Sequence, residues 1–280
     1  MKSVVDKDYE ELEIKDDYMF CKVFTDNPRL TKRLAEIITG RKIREIQGLV
    51  KQKVVDVVRE KRGVRFDVFF EDDWNKKYDF EMQTGMYEEI PKRSRYYQSL
   101  IDSDCLNKGV LYRNLPDSLI CFICMKDPLG CGRMVYTVED RIIETDESFG
   151  DGSKVIILNA DTIEENADEE LKSFLRYVSN GIVSSEFTAE IQESLEIARQ
   201  DTEERKAYMF LKDMLIDVKE EGREEGREEG REEGREEGRE EGREELLVRM
   251  LKNGVSIADI SKQTGIPESE LEKLAHSMHV

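Results

Sequence analysis

The sequence predicts an α/β fold with a mixed sheet flanked by helices, followed by a helical C-terminal extension. Its patterns run in the order helix, several strands, second helix and buried strand, which is typical of an α/β domain. The run SLICFICM at residues 118–125 is apolar throughout, as expected for a strand covered on both faces. Beyond residue 184 the patterns are mostly helical.

The first half of the predicted domain contains one broken helix and four strands. Apolar residues at spacings of three and four predict a helix over residues 16–40, with a break near Asn27 and Pro28 and an end at Gly40. Four strand-like runs follow: KIREIQGLV, KVVDVVRE, RFDVFFE and YDFEMQ. The polar, turn-prone stretch DDWNKK joins the last two runs, so we expect them to form a hairpin.

The second half of the domain adds two helices and three strands. Residues 90–109 predict a helix closed by Gly109, and residues 164–181 predict another that ends at Gly181. Between them lie the buried strand and the two shorter runs GRMVYTVED and SKVIILNA. We place the end of this domain near residue 180. The predicted units are a domain over 1–180, a helical extension over 181–221, a repeat over 222–245 and a tail over 246–280.

The tetrapeptide GREE is repeated six times from Gly222 to Glu245. Each repeat sets a Glu three residues before an Arg, which stabilises a helix by a few tenths of a kcal/mol, about 0.2–0.5. Each also contains a Gly, which costs about 1 kcal/mol in a helix interior. We therefore expect frayed helix or coil that acts as a solvated spacer. The alternative is a dimerising helix, in which a stripe of Gly lets a second helix approach closely.

The tail has the outline of a helix-turn-helix. Ser256 is placed to cap a helix that runs to Thr264, and Gly265 and Pro267 break it before a second helix. A DNA-reading helix should present basic or amide side chains to base edges. Because glutamates dominate this second helix, a small helical interaction hairpin is favoured over a DNA contact.

The net charge of -19 hides a local basic region. From Arg29 to Arg65 twelve Lys or Arg stand against four acidic residues, a local charge of +8. Phosphate binding depends on such a local patch, although a solvated basic face is the alternative. The chain has no apolar run of about 18 residues and its N-terminus lacks the pattern of a signal peptide, so we expect a cytoplasmic protein without membrane contact.

Several classes of catalysis are excluded by what the domain lacks. No histidine precedes His276, which excludes Ser-His-Asp and Cys-His mechanisms in the α/β domain. No GxxxxGK[ST] loop is present, so a P-loop phosphate site is excluded as well. Carboxylate chemistry remains.

The hairpin supplies the carboxylates. Asp67 and Glu81 lie on adjacent strands and would offer hard oxygen ligands to Mg²⁺. Gln83 shares a strand face with Glu81, and the carbonyl of Met82 is a further candidate ligand. The alternative is that both acids are solvent-facing strand residues paired with Lys or Arg.

The same residues carry a family resemblance. The run FDVFFEDDWNKKYDFEMQ, followed by PKRSRYYQSLIDSDCLNKGVLYRNLPDSLICFICMKDP, resembles the PD-(D/E)XK nuclease family transposases, which include the recombination-promoting nucleases. The similarity extends from about residue 16 to residue 160. It implies a restriction-endonuclease-like core, cleavage of DNA that depends on Mg²⁺ or alternatively Mn²⁺, and a link to recombination or transposition.

The resemblance assigns roles to individual residues. Asp67 matches the metal-binding Asp on the second strand of the core. Glu81 matches the first residue of the Glu-x-Lys or Glu-x-Gln motif, and Gln83 matches the last. Because Gln replaces the Lys of the wider superfamily, a positive charge that would stabilise the attacking hydroxide is missing.

Three further residues are candidates. Asp17 approaches the metal from the first helix or caps that helix, and Arg93 and Tyr97 contact phosphate or buttress the site. DNA is the expected partner, and a homodimer is expected because cuts on two strands are simplest from two sites. The competing interpretation is a catalytically inactive nuclease fold that acts as a DNA-binding or protein-assembly module.

Overall fold

The computed structural model describes residues 7–55, 64–85, 87–106 and 111–277. The helices are α1 Asp17–Asp26, α2 Pro28–Thr39, α3 Ile90–Cys105, α4 Glu169–Asn180, α5 Glu186–Gln200, α6 Thr202–Lys252, α7 Ile257–Thr264 and α8 Glu268–Ser277. The strands are β1 Ile46–Val55, β2 Val64–Asp72, β3 Lys77–Gln83, β4 Ser118–Cys124, β5 Val135–Val138, β6 Arg141–Ile142, β7 Glu147–Ser148 and β8 Ser153–Asn159. The chain forms two compact units that divide between Met209 and Phe210.

The first unit is built on a mixed six-stranded sheet with the order β1-β2-β3-β4-β8-β5. Strands β1, β2 and β3 are antiparallel neighbours, β3, β4 and β8 are parallel, and β5 returns antiparallel to β8. All seven residues of β4 are buried, because the strand lies between two parallel neighbours with helices over the sheet. The predicted α/β class with a mixed sheet is confirmed.

The two runs predicted as separate first strands belong in part to one strand. Strand β1 continues through Gly48, where the register against β2 shifts between Gln47 and Val50. Gly48 has φ 58°, a left-handed conformation that places an extra residue in the strand as a β-bulge. The strand therefore bends without ending. The remainder of the second run, residues 56–60, lies outside the described residues.

Helices cover both faces of the sheet. On one face α3 packs through Ile90, Leu100 and Ile101 against Ile120 and Phe122 of β4. On the other side α1 packs against β1, β2 and β3, and also against α5. Burial of these apolar side chains supplies the main favourable free energy of folding.

Two predicted helix ends are confirmed by left-handed glycines. Gly40 ends α2 with φ 66° and Gly181 ends α4 with φ 77°. Helix α3 ends at Cys105, and the predicted end at Gly109 lies outside the described residues. Helix α5 packs against α1, α2 and α4, so the first compact unit continues past residue 180, where we expected its boundary.

The GREE repeat is helical, which corrects the expectation of frayed helix or coil. It lies inside α6, a continuous helix of 51 residues. Nucleation is the costly step of helix formation, and segments of better helix formers stand on both sides of the repeat. Propagation from them through the glycines costs less than starting a helix within the repeat.

The second unit has a small core of its own. Four apolar side chains are buried together: Leu247 of α6, Ile260 of α7, Ile266 between α7 and α8, and Leu271 of α8. The Ser256 side chain accepts the N–H of Asp259 and caps α7, as predicted. Among the described helices none is both long and apolar enough to cross a membrane.

Candidate active site

The hairpin of β2 and β3 pairs regularly and then opens at one end. Its last antiparallel pair is Val68 with Phe80. Beyond this pair the N–H of Asp67 donates to Oε1 of Glu81 at 3.1 Å, and the N–H of Met82 donates to Oδ2 of Asp67 at 3.1 Å. The structure therefore brings the two predicted carboxylates together, each bound to the backbone of the opposite strand.

Neither carboxylate faces water. Asp67 is 7 % exposed and Glu81 is 2 % exposed. The alternative of two solvent-facing strand acids is therefore wrong, because side chains buried to this extent need hydrogen bonds or counter-charges within the protein.

Arg93, on the first turn of α3, connects the predicted site residues. Its Nη1 donates to Oε1 of Gln83 at 2.7 Å, and its Nη2 donates to Oε2 of Glu81 at 3.3 Å. Nη2 also donates to the hydroxyl of Tyr97 at 2.9 Å. The guanidinium lies over the ring of Phe122 at 5.7 Å, which adds a cation–π contact. This network matches the buttressing position that we considered for Arg93 and Tyr97.

Tyr97 remains a neutral phenol in this setting. Burial and the nearby Glu81 carboxylate raise the pKa of Tyr97 to about 12. Its ring packs edge-on against Phe66 with centroids 5.3 Å apart. The hydroxyl therefore holds Arg93 without carrying charge, and the ring fixes the position of the hydroxyl.

The sequence analysis missed a third acid at this site, Asp79. It precedes Glu81 by two residues on β3, so both side chains lie on the same face of the sheet, the face covered by α3. Asp79 is completely buried, and neither carboxylate oxygen has a hydrogen-bond partner among the described residues. The alternation of Asp79, Glu81 and Gln83 along one strand was the available signal.

The site carries an excess of negative charge. Burial, followed by the charge on Asp67, raises the pKa of Asp79 well above its ordinary value of 3.8. Burial, followed by the charges on Asp79 and Asp67, also raises the pKa of Glu81. Arg93 is the cation that contacts Glu81 in this network. Three buried acids around one guanidinium favour the uptake of a further cation.

The donor chemistry at this site fits Mg²⁺. No group of three His, Cys, Asp or Glu side chains is placed for metal binding within the described ranges. Mg²⁺ does not require such a group, because it keeps several waters and is commonly held by one or two carboxylates together with substrate phosphates. Asp67 and Glu81 supply those two carboxylates, and Asp79 adds a third buried acid beside them. The carbonyl of Met82 stays a predicted ligand.

Asp17 lies at the N-terminal end of a helix and not on the β2–β3 hairpin. It is the first residue of α1, and its carboxylate accepts the N–H of Tyr18 at 2.8 Å. The cap position belongs to Asp16, which is 4 % exposed and binds Lys7. Within the described part of the chain Asp16 makes no side-chain cap hydrogen bond, whereas the Asp17 carboxylate accepts one N–H of the first turn; the approach of Asp17 to a metal stays a prediction.

The local basic region is partly neutralised by the fold. Arg29 pairs with Glu190 at 2.7 Å, and Arg33 pairs with Glu170 at 2.5 Å. Lys53 binds Asp104 at 2.6 Å. Acids distant in the sequence thus offset part of the +8 charge counted along the chain, so fewer side chains remain for phosphate than the count suggested.

Comparison with known proteins identifies a family. A model of the PD-(D/E)XK nuclease family transposases matches residues 14–225, which include strands β2 and β3 and helix α3 of the site. Neither the curated proteins nor the solved structures contain a match to the chain.

Proposed function

Because the chain belongs to the PD-(D/E)XK nuclease family transposases, we propose that it is a metal-dependent DNA endonuclease linked to recombination or transposition. One observation carries the proposal beyond the family. Asp67 and Glu81 are buried together at the open end of β2 and β3, and each accepts a backbone N–H of the other's strand. Paired hard oxygen donors at an open strand end suit a divalent ion and a phosphodiester.

Asp67 and Glu81 would hold the ion, Mg²⁺ or alternatively Mn²⁺, with the carbonyl of Met82 as a further ligand. A bound ion of this kind supplies polarisation of the phosphodiester and a water of lowered pKa. The protein contributes the positions of its carboxylates, which the two hydrogen bonds at 3.1 Å keep within the sheet. Pre-set positions avoid the reorganisation cost that mobile side chains would add.

Gln83 and Arg93 act together in the proposed mechanism. The Gln83 carbonyl accepts from Arg93, so the amide NH₂ is directed toward Glu81, 3.5 Å from its Oε2. From there the NH₂ can donate to a phosphate oxygen or orient a water. The guanidinium of Arg93 supplies positive charge next to the position where the wider superfamily has Lys. Gln83 by itself cannot take a proton or carry charge.

DNA is the proposed substrate. In this proposal Arg93 would stabilise a phosphate while remaining bound to Tyr97. A single site cleaves one strand at a time, so we propose that two copies act together on a duplex.

Gln83 also favours a second candidate function. If the missing Lys leaves too little stabilisation for the attacking hydroxide, the fold would act as a catalytically inactive DNA-binding or assembly module. Such a protein would bind DNA with or without metal and would not cut it.

The two functions are separated by nicking of supercoiled plasmid with Mg²⁺, with Mn²⁺ and with EDTA. We expect cutting with either metal, none with EDTA, and loss of cutting in Asp67→Asn and in Glu81→Gln. These substitutions keep the shape of the side chains while removing their charge. Glu88→Gln, at an exposed position before α3, is the matched control and should cut like the wild type.

Two results would contradict the proposed nuclease function. If the wild-type protein is folded and binds DNA but does not cut with either metal, the binding module takes its place. If Asp67→Asn and Glu81→Gln cut at the wild-type rate, the activity resides elsewhere.

A further inference from the structure

A row of apolar and small residues runs along α6 at a constant spacing of four. It begins with Phe210, Met214 and Val218, continues through the six glycines of the repeat and ends at Leu246. Residues four apart are neighbours on the surface of a helix, so the row forms one continuous face that winds slowly around the helix axis. Phe210 is 72 % exposed and Leu246 is 56 % exposed. The apolar side chains at both ends of this face are therefore exposed to solvent.

The glycines in this row have no role within the described chain. A Cβ added at any of the six, from Gly222 to Gly242, meets no atom within 4 Å. Each Gly costs a helix about 1 kcal/mol relative to Ala. No contact within the described chain requires these six glycines. Their combined cost in helix stability therefore indicates that another molecule packs against them.

The charges beside the row are arranged asymmetrically. Around Gly234, Arg231 and Arg235 lie on one side of the row, and Glu233 and Glu237 lie on the other. The remaining glutamate of each repeat lies on the opposite side of the helix. Among the side chains of the repeat that the structure describes, the arginines are exposed and form no ion pair with these glutamates. The Gly row is thus bordered by one basic and one acidic edge.

We propose that this face of α6 binds the same face of α6 in a second copy of the chain, with the two helices parallel. In a parallel pair related by a two-fold axis, each basic edge lies against the acidic edge of the other helix. In an antiparallel pair Arg would lie against Arg and Glu against Glu. The charge pattern therefore selects both the occupant and its direction.

The spacing also sets the hand of the pair. Four residues turn a helix by about 400°, so the row advances by about 40° with each repeat. A period above 3.6 residues gives a right-handed crossing, opposite to that of a leucine zipper. Glycine allows the helix axes to approach closely at such a crossing, and the apolar residues at Phe210 and Leu246 close the two ends.

The test measures the mass of the full-length protein by sedimentation velocity. The wild type should be a dimer. Substitution of the acidic edge by Glu233→Arg, Glu237→Arg and Glu241→Arg should give a monomer. The control places the same three changes on the opposite side of the helix, as Glu232→Arg, Glu236→Arg and Glu240→Arg, and should remain a dimer.

The control also separates pairing from simple unfolding of α6. Glu232 stands three residues before Arg235, so the control sets two cations at this helical spacing, whereas the acidic-edge variant leaves the spacing from Glu232 to Arg235 unchanged. If loss of helix caused dissociation, the control would dissociate first. Circular dichroism of both variants records the helix content directly.

A complementary variant tests the charge pairing between the two helices. Arg235→Glu, Arg239→Glu and Arg243→Glu should give a monomer alone and a one-to-one heterodimer when mixed with the acidic-edge variant. A monomeric wild type, equal dissociation of the acidic-edge variant and the control, or failure of the mixture to pair would overturn the proposal. None of these readings depends on DNA cleavage, so the proposal and the nuclease function fail separately.

Discussion

Replacing Asp79 by Asn should stabilise the metal-free protein. Asp79 is completely buried and its carboxylate oxygens have no partner among the described residues. Asn keeps the shape, removes the charge and supplies an NH₂ that can donate to Glu81 or Asp67. Relief of an unsatisfied buried polar group is worth about 1–3 kcal/mol. For a unit of this size each kcal/mol raises the melting temperature by about 2–4 °C, so we expect a rise of roughly 2–12 °C.

The pH dependence of stability follows from the direction of the pKa shift. Burial raises the pKa of Asp79 above its ordinary value of 3.8. The folded wild type therefore binds a proton that the unfolded chain releases, and this contribution is fully present below the ordinary pKa. It is lost as the pH rises through the raised pKa of the folded state. In Asp79→Asn this part of the decline should be absent.

The assay is denaturation in EDTA from mildly acidic to mildly alkaline pH. Asp72→Asn is the matched control, because Asp72 is 7 % exposed but is fully hydrogen-bonded. It accepts from Tyr78, Trp74 and Lys76 at 2.8, 2.9 and 3.0 Å. We expect the control to lose about 1–3 kcal/mol. If Asp79→Asn also loses stability at alkaline pH, or declines with pH like the wild type, the reasoning about excess charge is wrong.

Three further predictions follow from the site and the tail. Arg93→Met should lower plasmid nicking and metal affinity by about 10- to 100-fold, since it removes the group that positions Glu81 and Gln83. Calorimetric titration with Mn²⁺ measures the loss of metal affinity separately from the loss of nicking. Gln83→Lys should lower the melting temperature and should not raise the nicking rate. The reason is that the ammonium group would lie against Arg93, where a 2.7 Å hydrogen bond now joins Arg93 to Gln83. A faster nicking rate would contradict this prediction. Ser256→Ala should lower the free energy of unfolding of the second unit by about 1 kcal/mol, because it removes the α7 cap. Hydrogen exchange in that helix should become faster, and unchanged exchange would show that the cap contributes nothing.

The sequence was sufficient for the parts of the site that follow from local patterns. Alternating aromatic residues placed Asp67 and Glu81 on two neighbouring strands, and the continuous apolar run identified β4. Asp79 was missed in the sequence because its distinctive property is that it is buried without a hydrogen-bond partner among the described residues. The alternation along β3 places Asp79 on the same face as Glu81, but its burial without a partner depends on α3 and β4, which are distant in the chain.

Two errors came from applying local rules too strictly. The sequence was read as two strands, KIREIQGLV and KVVDVVRE, whereas pairing with β2 joins parts of both runs into the single strand β1. The glycines of the repeat suggested coil by their propensity, but propensity in isolation does not include propagation from the flanking helical turns. Arg93 was found through the family resemblance, and its contacts to Glu81 and Gln83 could not be read from a spacing of ten or twelve residues.

The parallel pairing of β3 with β4 has a consequence for the order of events on the ribosome. Strand β3 carries Glu81 but finds its second neighbour only when residues 118–124 have emerged, and β4 in turn needs residues 153–159. Parallel pairs require long crossovers, and such non-local contacts form late. A nascent chain that already contains every candidate catalytic residue therefore lacks an assembled site. The proposed cleavage of DNA would therefore begin only after most of the first unit has been synthesised.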